Sequence, residues 1–316
     1  MITLQDVLKA QNTIKGHVTR TPTQLSQALS QRTGAEVYLK LETVQPIRAF
    51  KIRGALNKIS SLTPTERDKG VITASTGNHG LAVAYSARLF GLKAVIYVPE
   101  DAVEEKVDAI ERLGAEVVRV GRDYQEAYLK SLESQRRTGA TYLHSYNDPL
   151  VIAGQGTIGL ELLEDVPDID TVIVPVGGGG LISGVGMAAK TIKPNIRIIG
   201  VQAAGAPAMY DSWKEGRIVE RPVKTIADGL ASRKPLKLTF EMVKRYVDDI
   251  VLVTDDEMVE AMRLLIREEH LLAEPSGAAA LAALLFRHRP KPGEKVALIV
   301  SGANVSTDLL GEILGK

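Results

Sequence analysis

Short runs dense in Val and Ile alternate along the chain with segments whose apolar residues recur every three to four positions. The runs VITAS (71–75), KAVIYV (93–98), AEVVRV (115–120), TVIVPV (171–176), IRIIGV (196–201), DIVLV (249–253) and KVALIV (295–300) are apolar with little alternation. A strand with no polar face belongs to a sheet covered on both sides, which is the situation of parallel strands joined by crossover helices. Helical periodicity fills the intervals: GLAVAYSARLFG (80–91), VEEKVDAIERLG (103–114), DDEMVEAMRLLIREEH (255–270) and a segment at the N-terminus. The pattern predicts an α/β protein.

The βα units form two groups, one near 70–145 and one near 170–202, with later strands returning to the second. Between them LHSYNDPLVIAGQGT (143–157) begins in turn residues and ends in a helical pattern, as expected where a chain crosses between two units. A ligand is then expected in the cleft between them, at the C-terminal ends of strands.

Composition narrows the field. With 39 Lys plus Arg against 38 Asp plus Glu the net charge is +1, without long blocks of either sign, so nothing calls for nucleic acid or an anionic membrane. Aromatic residues are 4% of the chain, too few for base-stacking surfaces. The absence of Cys excludes disulfides, thiolate metal sites and a Cys nucleophile. The N-terminal MITLQDVLKAQNTIKG lacks the apolar core of a signal peptide, and no run approaches the roughly 20 apolar residues of a membrane span. A cytoplasmic protein is expected.

Three loops follow strands. In TVIVPVGGGGLISGVGMAAK (171–190) four glycines precede a helix, so backbone N–H groups at its positive end can approach an anion. In this loop the spacing does not give G-x-G-x-x-G, because Ile182 and Ser183 stand where the third glycine would fall, and G-x-x-x-x-G-K-[ST] occurs nowhere in the chain, which points to a small phosphorylated cofactor rather than a dinucleotide or a nucleoside triphosphate. In ASTGNHGLA (74–82) Ser75, Thr76 and Asn78 with a helix N-terminus suit a carboxylate, although the same residues also cap helices. His79 is as readily a structural histidine as an acid or base, and no pair of His has H-E-x-x-H spacing. In VALIVSGANVS (296–306) Ser301, Gly302 and Asn304 end a third strand. Lys51, in RAFKIRGAL (48–56), lies among apolar residues, where desolvation favours the neutral, nucleophilic amine. An imine-forming lysine, a phosphate cradle and a carboxylate loop are the parts needed for pyridoxal phosphate and an amino acid.

AFKIRGA (49–55), ASTGNHG (74–80), VPVGGGGLISG (174–184), LLAEPSGAAALAA (271–283) and VSGAN (300–304), in that order, resemble the fold-type II pyridoxal-phosphate enzymes, specifically the threonine and serine dehydratase group that includes serine racemase. The resemblance implies two open twisted, mainly parallel sheets flanked by helices, as in the tryptophan synthase β-subunit, with the active site in the interdomain cleft. Residues 1–65 and 148–316 then form a large cofactor-binding domain and 66–147 a small one. It further implies that Lys51 is the Schiff-base lysine, Phe50 packs on the cofactor ring, and Gly177, Gly178, Gly179, Gly180 and Leu181 form the phosphate loop. Asn78 falls near the ring's 3-oxygen, Ser301 at the pyridine nitrogen, and Asn147 and Glu274 close to the cofactor. Ser75, Thr76, Asn78 and His79 fall where the substrate carboxylate binds.

The activity implied is β-elimination from a β-hydroxy L-amino acid: L-threonine to 2-oxobutyrate and ammonia, or L-serine to pyruvate and ammonia. Lys51 removes the α-proton. The alternatives are an amino-acid racemase, with the Thr76 hydroxyl on the opposite face, a 3-hydroxyaspartate dehydratase, and a non-catalytic pyridoxal-phosphate or amino-acid binding module. A homodimer or higher homo-oligomer is expected, because two-fold dimers are the commonest soluble assemblies. The chain departs from the pattern at Arg48 and Ala49, where a small residue or histidine and then a serine are usual, and Arg48 is a candidate contact for an acidic β-substituent. Gln202 replaces the glutamate of the racemase cation site and no aspartate follows until Asp211, so no metal is expected. Ending at Lys316, the chain reads as the short catabolic form, without a regulatory domain.

Overall fold

The computed structural model describes residues 1–315. Its strands are β1 (Thr23–Ser26), β2 (Glu36–Leu41), β3 (Val71–Ala74), β4 (Ala94–Val98), β5 (Glu116–Arg119), β6 (Thr141–Tyr142), β7 (Thr171–Pro175), β8 (Arg197–Ala203), β9 (Asp249–Val253) and β10 (Lys295–Val300). They form a six-stranded sheet in the order β1-β2-β10-β7-β8-β9 and a four-stranded sheet in the order β5-β4-β3-β6. Among the described residues, the β1–β2 pair is the antiparallel strand pair within the sheets, and the other strand pairs run parallel.

Each of the seven apolar runs is a strand, and the three periodic segments are the helices Asn78–Leu89, Glu104–Glu111 and Asp255–Glu269. Both faces of the larger sheet are covered at its centre, which explains why β7 and most of β8 and β10 are apolar. Ile173 points into a cluster with the helices Asp255–Glu269 and Pro275–Phe286. Its neighbours Val172 and Val174 point the other way, into a cluster with Pro149–Asp165 and Gly180–Ile192. The Pro275–Phe286 helix is buried from Pro275 to Leu284, and its sequence PSGAAALAALLF is accordingly apolar on every side. Among the described residues no helix is long and apolar enough to cross a membrane.

The chain crosses from β6 to the larger sheet through the segment flagged by its turn residues. Asp148 ends the turn by capping Pro149–Asp165, its Oδ1 accepting from the N–H groups of Leu150 at 2.8 Å and Val151 at 3.3 Å. That helix lies very close to Lys51–Ser60: a Cβ on Gly154 would fall 2.5 Å from the Arg53 carbonyl oxygen. The glycine is required by the approach of the two backbones.

Candidate active site

Lys51 is the first residue of the helix Lys51–Ser60, and the loop after β10 holds it there. Ala49 bridges Gly302 in antiparallel fashion, the Phe50 N–H donates to the Ser301 carbonyl at 3.1 Å, and the Ala303 N–H donates to the Arg48 carbonyl at 2.9 Å. Lys51 Nζ donates to the Ser145 carbonyl at 3.0 Å and stands 5.1 Å from the centroid of the Phe50 ring. Burial pushes its ammonium down to about 8, against the opposing pull of the Glu274 carboxylate. Its place at a helix N-terminus works in the same direction as burial.

The glycine loop follows β7. Gly179, at φ +91°, caps Gly180–Ile192 without a side-chain hydrogen bond, leaving the first N–H groups of that helix without intrahelical acceptors. The loop is roofed by Tyr146: a Cβ on Gly178 would fall 2.4 Å from its ring, and one on Gly180 would fall 2.9 Å from its Cα. The turn 145–147 therefore touches both Lys51 and the glycine loop. Within it the Asn147 Oδ1 is buried and has no hydrogen-bond partner among the described residues. Leu181 is buried in the core beneath the loop.

From the smaller sheet, the loop after β3 faces the same place. Asn78 opens the helix Asn78–Leu89, whose cap residue Gly77 offers no side chain. Its Nδ2 donates to Glu274 Oε1 at 2.7 Å, and its Oδ1 accepts from Asn304 Nδ2 at 2.6 Å. Glu274 is buried at the start of Pro275–Phe286, and desolvation pushes its carboxyl up to about 7. Ser301 Oγ is 3.5 Å from the Ser276 carbonyl, a contact at the outer limit of hydrogen bonding. Ser75 Oγ accepts the Gly77 N–H at 3.3 Å, and Thr76 is half-buried in the bend between β3 and the helix. Lys106 on Glu104–Glu111 pairs with Asp228, next to Gly229, across the gap between the two sheets. Gly229 in turn donates its N–H to Ser276 Oγ at 2.9 Å.

Two of the singled-out side chains stand apart. The His79 ring is buried with Nε2 2.9 Å from the Leu143 carbonyl, and burial together with the Lys51 charge pushes it down to about 3. The neutral ring donates to that carbonyl. Arg48 is exposed at φ +59°, and among the described residues its guanidinium makes no hydrogen bond or ion pair. Its backbone is in the left-handed region, which costs an L-residue roughly 1–2 kcal/mol. The contact with an acidic β-substituent finds no support in this placement.

Sequence reasoning missed Tyr146 and His144, which it treated only as turn residues, and the buried Arg53. Among the described residues no group of three or more His, Cys, Asp or Glu is placed to share a metal ion. Gln202 Oε1 accepts the Tyr210 N–H at 2.9 Å, and Asp211 pairs with Arg221 at 2.6 Å.

The donor set fits a phosphorylated aldehyde: an amine shifted toward neutrality, uncapped helix N–H groups behind a glycine loop, an orphaned amide oxygen at Asn147 and a nearly free hydroxyl at Ser301. Residues 14–302 match the model of the pyridoxal-phosphate dependent enzymes, and the chain belongs to that family of enzymes. Over 317 aligned residues it is 47% identical to the L-threonine ammonia-lyase of Thermotoga maritima, covering 100% of this chain and 79% of that protein. It is 40% identical to the catabolic L-threonine dehydratase of Escherichia coli (strain K12), over 99% and 96% of the two chains. The solved structure of maize serine racemase superposes with a TM-score of 0.94 at 39% identity, over 99% of this chain and 97% of that one.

Proposed function

We propose that this chain is a threonine ammonia-lyase that converts L-threonine to 2-oxobutyrate and ammonia and acts on L-serine in the same way. The observation that carries the reading is Lys51, a buried amine lowered to about 8 whose Nζ donates to the Ser145 carbonyl of the turn that roofs the glycine loop. The choice of substrate is supported by whole-chain identity to proteins named for threonine.

Bound here, pyridoxal phosphate supplies an electron sink for the bond broken at the substrate's α-carbon. Gly177, Gly178, Gly179, Gly180 and Leu181 bind its phosphate through backbone N–H groups. Phe50 would pack on the ring, Asn78 would lie near its 3-oxygen, Asn147 and Glu274 close to it, and Ser301 would offer a neutral hydroxyl to its nitrogen. A hydroxyl there, unlike a carboxylate, would not hold positive charge at that nitrogen, which would favour loss of the β-hydroxyl over transamination. Ser75, Thr76 and the backbone N–H groups of Asn78 and His79 hold the substrate carboxylate at the positive end of the helix. Lys51 Nζ is the group that would take the α-proton.

Residues 1–65 and 148–316 act as the large unit and 66–147 as the small one, in a homodimer or higher homo-oligomer in the cytoplasm. A racemase is the second reading, favoured by the half-buried Thr76 and the fit to maize serine racemase.

The test is 2-oxo acid formation from L-threonine, L-serine, 3-hydroxyaspartate and phenylserine. Threonine is expected to turn over fastest, and Lys51→Ala is expected to lower kcat by more than about 10³-fold. D-serine formed in excess of pyruvate from L-serine overturns the lyase in favour of the racemase.

A further inference from the structure

The glycine loop and the reacting lysine lie on different elements, yet both lean on one three-residue turn. We propose that His144 is the positioning residue of this site: its ring pins the turn 145–147, and the turn sets both the Lys51 amine and the roof of the glycine loop. The inference rests on the reading of Lys51 as the reacting amine.

His144 Nδ1 lies 3.3 Å from the Tyr146 nitrogen and 3.1 Å from the Asn147 nitrogen, and both N–H groups donate to it. This is the geometry by which an Asn or Asp side chain closes a turn, carried out here by an imidazole. With Nδ1 occupied as an acceptor, the neutral ring carries its proton on Nε2. Burial and the Lys51 charge hold the ring neutral down to about 4, with Asp148 pulling weakly the other way.

The consequences fall on three neighbours. The carbonyl of Ser145, between the ring and the two pinned N–H groups, is aimed at Lys51 Nζ, 3.0 Å away. The Tyr146 ring, with the His144 ring edge-on at 4.6 Å between centroids and 85° between planes, is laid over Gly178, and the Tyr146 backbone lies against Gly180. Asn147 is held by its backbone with its buried Oδ1 unengaged. Tyr142 backs the imidazole at 6.5 Å, so the ring has little freedom to leave the turn.

The test exploits side-chain shape. An Asn Oδ1 occupies the place of the imidazole Nδ1, whereas the Gln amide oxygen extends one bond further, to the place of Nε2. His144→Asn therefore keeps the acceptor, and His144→Gln and His144→Leu lose it. The pyridoxal-phosphate-loaded enzymes are compared by visible circular dichroism of the bound cofactor and by kcat and KM for L-threonine. We expect His144→Gln and His144→Leu to lose at least half of the visible dichroism and about 30- to 100-fold in kcat with a smaller change in KM, as for a small misplacement of reacting groups. His144→Asn is expected to recover the band and to return kcat to within a few-fold. The inference is overturned if Asn and Gln behave alike, or if His144→Leu retains the wild-type dichroism and kcat. A wild-type protein whose cofactor is not attached to Lys51, read by borohydride reduction and peptide mass, overturns the reading of Lys51 and this inference with it.

Discussion

Glu274 shows what the residue scale adds. A carboxyl buried beside a lysine looks like an ion pair, yet desolvation outweighs the Asn78 hydrogen bond and brings it to about 7. Since the native value lies above the ordinary 4.5, the group's stabilising contribution is complete below about 4.5 and is lost as pH rises through about 7. Glu274→Gln keeps an oxygen for Asn78 Nδ2 and removes the charge. We expect the cofactor-free variant to match wild type in urea unfolding near pH 5 and to exceed it by about 3 kcal/mol at pH 8. A difference that does not change with pH contradicts the assignment. None of this was legible in LLAEPSG, because the sequence does not show whether a carboxylate at a helix start faces water or the core. For His79 the sequence reveals a histidine at a loop, but not that its ring turns back to the Leu143 carbonyl.

At the scale of elements, the strands without a polar face were legible because they carry their covering on both sides in their composition. β2 was not, since EVYLKL contains Lys40, a charge with no exposed surface. Its partners explain the exception. Lys40 Nζ meets Glu161 at 2.8 Å, and Arg53 bridges Glu161 at 2.6 Å and Glu42 at 2.8 Å, with Thr21 Oγ1 donating to Glu42 at 2.7 Å. The cluster joins β2, the helix Lys51–Ser60 and the helix Pro149–Asp165, so the lysine-bearing helix is clamped two residues from Lys51. The two cations face Glu42 and Glu161, with Asp165 3.7 Å from Lys40 Nζ at the edge, and removing one member leaves uncompensated charge in the core. Arg53→Met is expected to cost about 3–5 kcal/mol in urea unfolding. A cost below about 1 kcal/mol shows that the cluster relaxes or hydrates.

For the whole molecule, the two-sheet plan and the three strand-end loops were legible because parallel strands send their C-terminal ends to one side, where ligands bind. Their convergence was not, because it depends on contacts such as Ala49 with Gly302 and Tyr146 with Gly178 that join residues far apart in sequence. Convergence also gathers titrating groups whose shifts oppose one another. His79 at about 3 and His144 at about 4 stay neutral in the native state over the range where unfolded histidines, with their ordinary value near 6.5, bind protons. Their contribution is present above about 6.5 and is lost as pH falls. Glu274 acts in the opposite sense between 4.5 and about 7. Near pH 5.5 unfolding of the cofactor-free protein therefore takes up close to two protons at the histidines and releases close to one from Glu274, a net uptake of about one. Stability is then expected to rise by about 1.4 kcal/mol per pH unit around pH 5.5, and about twice as steeply in Glu274→Gln. Urea unfolding at half-unit steps from pH 5 to 6 measures both slopes. A slope that is flat in wild type and unchanged in the variant means that these groups do not share the environment this fold gives them.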